Sequence, residues 1–343
     1  MTPKFRLLTK PEPADIPLVF FMFEDDKVAE RALFKFLEKG EQEYLKSIKG
    51  SAEPKEKEVK MFIMPETSRK ILTAGLGKSN EFSPAKAALA TRQAVQAARK
   101  ERVQKFAFWV EPVGDGKNTK KFYETVAAAA VMANFEFTKY KTPPKEGFNY
   151  VQEIQAIWPR ENTAIKAGFE AGTIIGEEVN NCRALANTPG GDMTPEILAE
   201  HAKRDAKGLP IEVQIFDKKK IAQLGMGGVL GVSKGSDAPP RFIVMEYLAG
   251  PKNQKPVVLV GKGVTFDTGG LNLKPEQAIY EMHMDMSGGA AVIHAIKAVA
   301  RLGLKKNIVA LVPAVENMPS GSSYHPGDVL RGMSGKTIEV LNT

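Results

Sequence analysis

Residues 257–285 read VVLVGKGVTFDTGGLNLKPEQAIYEMHMD, a valine-rich run that leads directly into a charged, glycine-rich segment. Residues 256–260 predict a buried strand, which ends at Gly261. The loop after this strand and the residues beyond it supply four ionisable side chains, Lys262, Asp267, Lys274 and Asp285. Ligands of open α/β sheets bind at the carboxyl ends of the strands. The stretch therefore predicts an α/β domain with a binding site in this loop.

Short strands and helices alternate on both sides of this stretch. Strands are predicted at residues 18–23, 59–64, 71–76, 106–110, 151–157, 211–216, 241–247, 307–312 and 337–341. Helices are predicted at residues 28–37, 83–103, 120–134 and 162–183, after the Thr194-Pro195 cap, and within 285–302. This alternation is typical of α/β folds, and in the N-terminal part it favours a mostly parallel sheet.

The length of 343 residues favours two domains over one. The segment 142–147, TPPKEG, is the best linker candidate, and one strand and a long helix follow it. With the boundary near Pro159, the prediction is an N-terminal α/β domain at 1–158, a connecting helix at 159–185 and a second α/β domain at 186–343.

The composition is that of an ordinary globular protein, with 43% hydrophobic and 26% charged residues. A single cysteine, Cys182, allows no intrachain disulfide and fits a reducing compartment. No stretch approaches the roughly 20 apolar residues of a membrane span, and the N-terminus does not read as a signal peptide. These features predict a cytoplasmic protein without a membrane partner. The net charge of +8 comes from basic residues mixed with acidic ones, so nucleic-acid binding is not the expected main role.

The four ionisable side chains after the strand suit a metal site. Aspartate carboxylates are hard oxygen donors that can bridge two divalent ions roughly 3.5–4 Å apart, with an activated water between them. A lysine can join such ions only as a neutral amine, so its pKa must fall. A second lysine that keeps its proton could stabilise a developing oxyanion. The same residues also allow a plain turn at Asp267, solvated lysines and a helix cap at Asp285, and spacing alone leaves both interpretations open.

Four long motifs in a fixed order add a family resemblance. They are VGKGVTFDTGGLNLKP with the following MHMDMSGGAAV, NTPGGDMTPEILA at 187–199, GMGGVLGVSKGSDAPPRFIVMEY at 225–247 and NMPSGSSYHPGDVL at 317–330. Together they closely resemble the leucyl aminopeptidase (cytosol aminopeptidase) family, over residues 162–343. The resemblance implies a two-domain α/β fold whose second domain is catalytic, two zinc or manganese ions, a bicarbonate, peptide substrates and a homohexamer.

The resemblance also implies a role for individual residues. Lys262 and Asp285 look like ligands of one metal, and Asp267 looks like a ligand shared by both. Lys274 looks like the catalytic lysine that polarises the scissile carbonyl. Met282 looks like an apolar wall of the pocket for a leucine-like first side chain, and Asn342 is assigned to substrate binding beside Met282 and Lys274.

In the family, two further metal ligands and an arginine follow the Asn-Thr pair found here at Asn342 and Thr343. The chain ends at Thr343, and Lys262, Asp267 and Asp285 are too few donors for two ions that each want about four to six. We therefore expect a fragment of a longer reading frame, with little peptidase activity of its own and an incompletely covered sheet.

The histidines are weaker candidates than the lysines and aspartates. His283 could pair with Asp285 as a ligand if the segment were extended, His201 is expected in solvent and His294 in packing, and His325 has no assigned role. Cys182 is expected to be a small buried residue and not a nucleophile.

The sequence thus favours an aminopeptidase that removes N-terminal residues by two-metal-activated water. Two alternatives stay open: a non-catalytic DNA-binding or scaffold member of the same family, and another two-metal hydrolase such as a phosphoesterase. A lysine as metal ligand argues against the phosphoesterase.

Overall fold

The computed structural model describes residues 1–30, 32–48, 50–109, 119–158 and 162–343. These residues form two compact units, Met1–Glu177 and Glu178–Thr343. Three sequence predictions touch positions outside the described residues: the helix at 28–37 includes Arg31, the strand at 106–110 ends on Val110, and the predicted domain boundary lies near Pro159. No helix of the described residues is both long and apolar enough to cross a membrane.

The first unit is built on a six-stranded sheet. Its elements are β1 (Lys4–Leu8), β2 (Leu18–Met22), α1 (Lys39–Ser47), β3 (Val59–Ile63), β4 (Lys70–Gly75), α2 (Pro84–Lys100), β5 (Lys105–Trp109), α3 (Thr119–Ala133), β6 (Glu153–Ile157) and the first part of α4 (Thr163–Ala186). The strand order is β1-β6-β5-β2-β4-β3, and every neighbouring pair is parallel except β3 with β4. The predicted mostly parallel sheet is therefore confirmed for this unit.

Local sequence explains where these elements begin. Ser83 caps α2 by accepting a hydrogen bond from the backbone N–H of Lys86, and Pro84 occupies the first turn, as predicted. All five residues of β2 are buried, which is why this strand reads as a continuous apolar run. The helix predicted at 28–37 is instead two 3-10 helices, Val28–Glu30 and Ala32–Phe36. Val28, Leu33 and Phe34 on these two helices are buried, as is Leu37 directly after them.

The second unit holds the C-terminal part of α4 and a mixed sheet. Its further elements are α5 (Pro195–Asp205), β7 (Glu212–Phe216), α6 (Lys218–Gln223), α7 (Gly227–Val232), β8 (Arg241–Leu248), β9 (Val257–Val260), β10 (Gly263–Asp267), α8 (Glu276–Ile279), α9 (Ser287–Arg301), β11 (Asn307–Asn317), β12 (Val329–Arg331) and β13 (Thr337–Glu339). The long strand β11 is central: it is antiparallel to β8 and parallel to both β9 and β10. β7 extends the sheet beyond β8, and β12 pairs with β13 separately.

The structure of residues 257–285 differs from the sequence prediction in two respects. Residues 263–267 are not a loop but the strand β10, which lies beside the second half of β11 as β9 lies beside the first half. Gly263 and Asp267 are poor strand formers, which hides β10 in the sequence. β9 is also not buried: Val257, Val258 and Val260 are 56%, 50% and 69% exposed.

Candidate metal centre

The four predicted ionisable residues come together at one end of the sheet in the second unit. Lys262 lies between β9 and β10, and Asp267 is the last residue of β10. Lys274 follows a tight loop after β10. Asp285 ends a 3-10 helix, Met282–Met284, directly before α9. The chain therefore delivers the four side chains from a strand junction, a strand end, a loop and a helix start.

Asp267 is a buried carboxylate held from several sides. Its Oδ1 accepts hydrogen bonds from the backbone N–H of Gly269 at 2.9 Å and from Nδ2 of Asn317 at 2.8 Å. Its Oδ2 contacts the ammonium of Lys274. Burial alone would raise the pKa of Asp267, but Lys274, Gly269 and Asn317 outweigh it, so the pKa lies below its ordinary value. Asp267 is thus a carboxylate stabilised in its ionised form.

Asp285 has a different environment although it interacts with Asp267. Its Oδ2 lies 3.0 Å from Nζ of Lys262, whose side chain is 57% exposed. Burial raises the pKa of Asp285, Lys262 lowers it, and the hydrogen bond and negative charge of Asp267 raise it again, so that the net shift is upward. Two carboxylates therefore share this site and compete for the same cations, each with one lysine beside it.

The loop after β10 owes its shape to backbone hydrogen bonds. Both the N–H and the hydroxyl of Thr268 donate to the backbone carbonyl of Asn317, at 3.0 and 2.8 Å. Gly269 has φ +88°, which suits glycine and brings the N–H to Asp267. Thr343 donates from its hydroxyl to the carbonyl of Gly269 at 2.7 Å and accepts from the N–H of Asn272 at 2.9 Å. The loop that carries Lys274 is therefore fixed at both ends.

A close backbone contact places Asp285 near Lys262. The N–H of Gly289, in the first turn of α9, donates to the carbonyl of Lys262 at 2.7 Å. A Cβ atom on Gly261 would lie only 2.3 Å from the carbonyl oxygen of Gly288. Because these positions carry no side chain, the start of α9 can lie directly on the strand junction. The small-residue opening of α9 thus serves the site.

The other candidate residues from the sequence lie outside the group formed by the two lysines and two aspartates. Met282 is half-buried on its 3-10 helix, and Asn342 is exposed beside Thr343. The extended segment assumed for His283 is wrong, because this residue lies on the same 3-10 helix as Met282. His325 is exposed, and its N–H donates to Asp328. His294 is buried, and its Nδ1 lies 2.7 Å from Glu178.

Two residues near Asp267 were missed by the sequence reasoning. Asn317 belongs to β11, which continues five residues past its predicted end at 312. The apolar residues Ala314 and Val315 could have indicated this longer strand. Tyr324 is also buried, and burial together with the negative charge of Asp267 raises the pKa of its hydroxyl. Both residues belong to the motif at 317–330 and therefore lie in a stretch already singled out.

The donor set fits divalent cations only in part. Among the described residues, no group of three or more His, Cys, Asp or Glu side chains is arranged to hold a metal ion. The third donor beside Asp267 and Asp285 would have to be the amine of Lys262, which pairs with Asp285 here. Three donors satisfy one ion with open positions, whereas two ions would need donors beyond these. Carboxylate and amine donors suit divalent cations, but three of them are too few for two ions.

Family models match most of the chain. The catalytic domain of the cytosol aminopeptidase family matches residues 180–343, and the N-terminal domain of the same family matches residues 19–144. All four residues of the site lie in the first of these matches.

Individual proteins give the same result. A "probable cytosol aminopeptidase" of Bdellovibrio bacteriovorus is 39% identical over 277 residues, covering 80% of this chain and 55% of the relative. One of Chlorobaculum tepidum is 53% identical over 180 residues, covering 52% of this chain and 36% of the relative. The chain thus spans about half the length of the curated relatives it matches.

Solved structures agree on the fold. The bottromycin maturation enzyme BotP in complex with Mn has a TM-score of 0.78 and 26% identity, over 96% of this chain and 65% of that one. The cytosol aminopeptidase of Coxiella burnetii has a TM-score of 0.75 at 22% identity, over 98% of this chain and 66% of that one.

Proposed function

Because this chain belongs to the cytosol aminopeptidase family, we propose that it carries catalytic residues of a metal-dependent enzyme that releases N-terminal amino acids from peptides. The observation that carries the proposal is the convergence of Lys262, Asp267, Lys274 and Asp285 inside the segment matched by the catalytic domain. Two carboxylates and two lysines at the end of a sheet are the residue types that cation binding and carbonyl chemistry use.

Asp267, Asp285 and Lys262 are the proposed metal ligands, with Asp267 shared between two ions. Bound divalent ions would supply Lewis acidity and a water that is deprotonated near neutral pH. Lys262 can serve only as a neutral amine, so it must give up its proton and its contact with Asp285. Manganese or zinc is proposed as the ion, and the manganese bound to the related BotP makes Mn²⁺ the first to test.

Lys274 is proposed to act on the substrate and not on the metal. Its ammonium contacts the carboxylate of Asp267, the proposed shared ligand. In this position an ammonium can stabilise the negative charge that develops on the peptide carbonyl oxygen. Met282 is half-buried at the start of its 3-10 helix. We propose it as an apolar wall that favours leucine-like first residues, with Asn342 contacting the peptide.

The further properties that belong to the family are also proposals for this chain. They are a bicarbonate near the site, a homohexamer and a cytoplasmic location, the last supported by the name cytosol aminopeptidase that the relatives carry. The non-catalytic DNA-binding or scaffold role is not favoured, since the family match and the converging site both indicate hydrolysis. A phosphoesterase is disfavoured by the proposed lysine ligand.

Mn²⁺ binding measured by calorimetry tests the site directly. We expect Mn²⁺ to bind the chain, Asp285→Asn to abolish this binding, and Asp237→Asn, a change of an exposed aspartate in the same unit, to leave it unchanged. Equal binding by all three proteins would contradict the assigned ligands.

Hydrolysis of leucine amide and of a phosphate ester tests the reaction. We expect the Mn²⁺-loaded chain to prefer the amide, with slow turnover because three donors do not complete two metal positions. Fast turnover would show that no further ligands are needed. A preference for the phosphate ester would support the alternative hydrolase.

A further inference from the structure

The end of β11 places an asparagine side chain beside the proposed shared ligand. In the register of β10 with β11, Asn317 is the direct partner of Asp267. Its Nδ2 donates to Oδ1 of Asp267 at 2.8 Å, and the residue is only 6% exposed. The contact therefore joins the last residues of two parallel strands inside the protein.

We propose that Asn317 is a positioning residue that holds the carboxylate of Asp267 in the orientation needed for cation binding. The inference rests on the proposed function, because it assigns a role toward the same metal site. Asn317 acts through Asp267 and needs no contact with the cation or the substrate.

The backbone of Asn317 is itself firmly held. Its carbonyl accepts hydrogen bonds from both the N–H and the hydroxyl of Thr268. Its side chain leaves β11 at a fixed point of the ladder, opposite Asp267. The amide is therefore a rigid support, in contrast to the long side chain of Lys274, which also contacts Asp267.

The orientation of the amide follows from its chemistry. Oδ1 of Asn317 is buried and has no hydrogen-bond partner among the described residues. A buried acceptor without a partner is unfavourable. The opposite orientation would direct this oxygen at Oδ1 of Asp267 and would repel the carboxylate. The amide N–H of Asn317 therefore serves Asp267, while the amide oxygen is left without a hydrogen bond.

The amide N–H of Asn317 determines which carboxylate oxygen of Asp267 stays available to a cation. Asn317 and the N–H of Gly269 both bind Oδ1, whereas Oδ2 faces the ammonium at the end of the long Lys274 side chain. Two fixed donors on one oxygen prevent rotation of the carboxylate. Hydrogen bonds of this kind to metal-binding carboxylates typically change metal affinity about 10–100-fold.

The strand offers a matched control at its other end. Asn307 begins β11, is 7% exposed, and uses its side chain on the carbonyls of Pro251 and Gln254 and the N–H of Gly250. It is about as buried as Asn317, but its three side-chain hydrogen bonds all go to backbone atoms of a turn. Loss of its amide should therefore weaken the fold without altering Asp267.

Calorimetric Mn²⁺ binding and thermal unfolding of three proteins test the inference. We expect Asn317→Leu, which keeps most of the volume and removes the donor, to bind Mn²⁺ about 10–100-fold more weakly than the wild type. Asn307→Ala should have a lower Tm with an unchanged Kd. If Asn317→Leu fails to fold, Asn317→Ser, whose donor is shorter by one bond, takes its place with the same expectation.

The possible results distinguish the positioning role of Asn317 from the metal site itself. Wild-type affinity in the folded Asn317 variant, or an equal loss of affinity in Asn307→Ala, overturns the positioning role and leaves the metal site intact. A wild-type chain that binds no Mn²⁺ overturns the metal site and the inference together.

Discussion

Lys262 and Lys274 contact adjacent carboxylates and yet have different expected roles. Lys262 is the more exposed of the two and pairs with Asp285, whereas Lys274 pairs with the more buried Asp267. In the proposed site Lys262 would be a cation ligand, whereas Lys274 would act on the substrate. Truncation of Lys262 should therefore mainly weaken cation binding, whereas truncation of Lys274 should mainly slow catalysis.

We predict that Lys262→Ala lowers Mn²⁺ affinity by a factor of about 10 or more, since a donor is lost. Lys274→Ala should bind Mn²⁺ at least as tightly as the wild type, because a positive charge next to the ion is removed. Its leucine amide hydrolysis should fall about 10²–10³-fold in kcat, the usual effect of losing an oxyanion donor. Calorimetry and steady-state kinetics on the same preparations separate the two effects. Weakened binding in Lys274→Ala would show that this lysine supports the ligands instead.

Gly269 supports the site through its backbone alone. It adopts φ +88°, and a Cβ atom there would lie 2.4 Å from the carbonyl oxygen of Asn272. We predict that Gly269→Ala loses stability through both the backbone strain of about 1–2 kcal/mol and this collision, and that it also weakens Mn²⁺ binding by displacing the N–H that holds Asp267.

Gly335 is the control for that change. It has φ +80°, but a Cβ atom there would meet nothing within 4 Å, so Gly335→Ala should show the backbone strain alone. Urea unfolding of the two variants gives the comparison. If Gly335→Ala is destabilised as much as Gly269→Ala, the collision with Asn272 does not contribute.

Contacts between elements decide where Asp285 lies. The start of α9 lies on the junction between β9 and β10 because Gly261 leaves room for the carbonyl of Gly288. We predict that Gly261→Ala displaces α9, destabilises the protein by roughly 1–3 kcal/mol and weakens Mn²⁺ binding by separating Asp285 from Lys262. Gly228→Ala on α7, which meets nothing within 4 Å, should be neutral or stabilising by up to about 1 kcal/mol. Equal unfolding midpoints for the two variants would contradict this account of the contact.

The helices and strands of both units differ in how far the sequence predicts them. Strands with continuous apolar runs, such as β2, and helices with clear caps, such as α2, were predicted because local sequence determines them. β10 was missed because its ends, Gly263 and Asp267, were read as loop chemistry, and only the pairing with β11 makes them a strand. Asn317 was missed for a related reason: its role depends on the register between two parallel strands, and its partner Asp267 is 50 residues away in the chain.

At the scale of the whole chain, the candidate site is more predictable than the structure that supports it. Residue types and spacing made Lys262, Asp267, Lys274 and Asp285 candidates, and the family resemblance favoured them over a plain turn. The structure brings the four side chains together. Their roles stay predictions, since roles depend on cations and substrate. The exposed valines of β9 were not foreseen as such, because an apolar run predicts burial by default.

The second unit also contains a buried ionic cluster that joins three helices. Glu178 on α4 has a side chain only 4% exposed and contacts His294 at 2.7 Å, Lys297 at 3.1 Å and Arg301 at 2.7 Å, all on α9. Lys297 also lies 4.0 Å from Asp205 at the end of α5. Burial would raise the pKa of Glu178, but the hydrogen bonds of His294 and Arg301 and the charge of Lys297 lower it from 4.5 to about 2.

This lowered pKa makes the stability of the second unit depend on pH. A carboxyl whose pKa is lower in the folded state stabilises the protein fully above its unfolded pKa of 4.5. That stabilisation, on the order of 3 kcal/mol, is lost as the pH falls toward the folded pKa. At neutral pH, Glu178→Gln removes the buried negative charge that Lys297 and Arg301 both contact, so we predict a loss of about 3–5 kcal/mol.

The pH series distinguishes the cluster from general acid sensitivity. All carboxylates gain protons as the pH falls, so only the difference in unfolding free energy between wild type and Glu178→Gln reports on Glu178. Urea unfolding from about pH 7 to about pH 3 should show this difference constant above about pH 5 and shrinking below it, since the wild type loses what the variant already lacks. Glu200→Gln, an exposed change on α5, should run parallel to the wild type throughout. A difference that stays constant across the whole series would mean that packing of the glutamate side chain, and not its charge, joins α9 to α4.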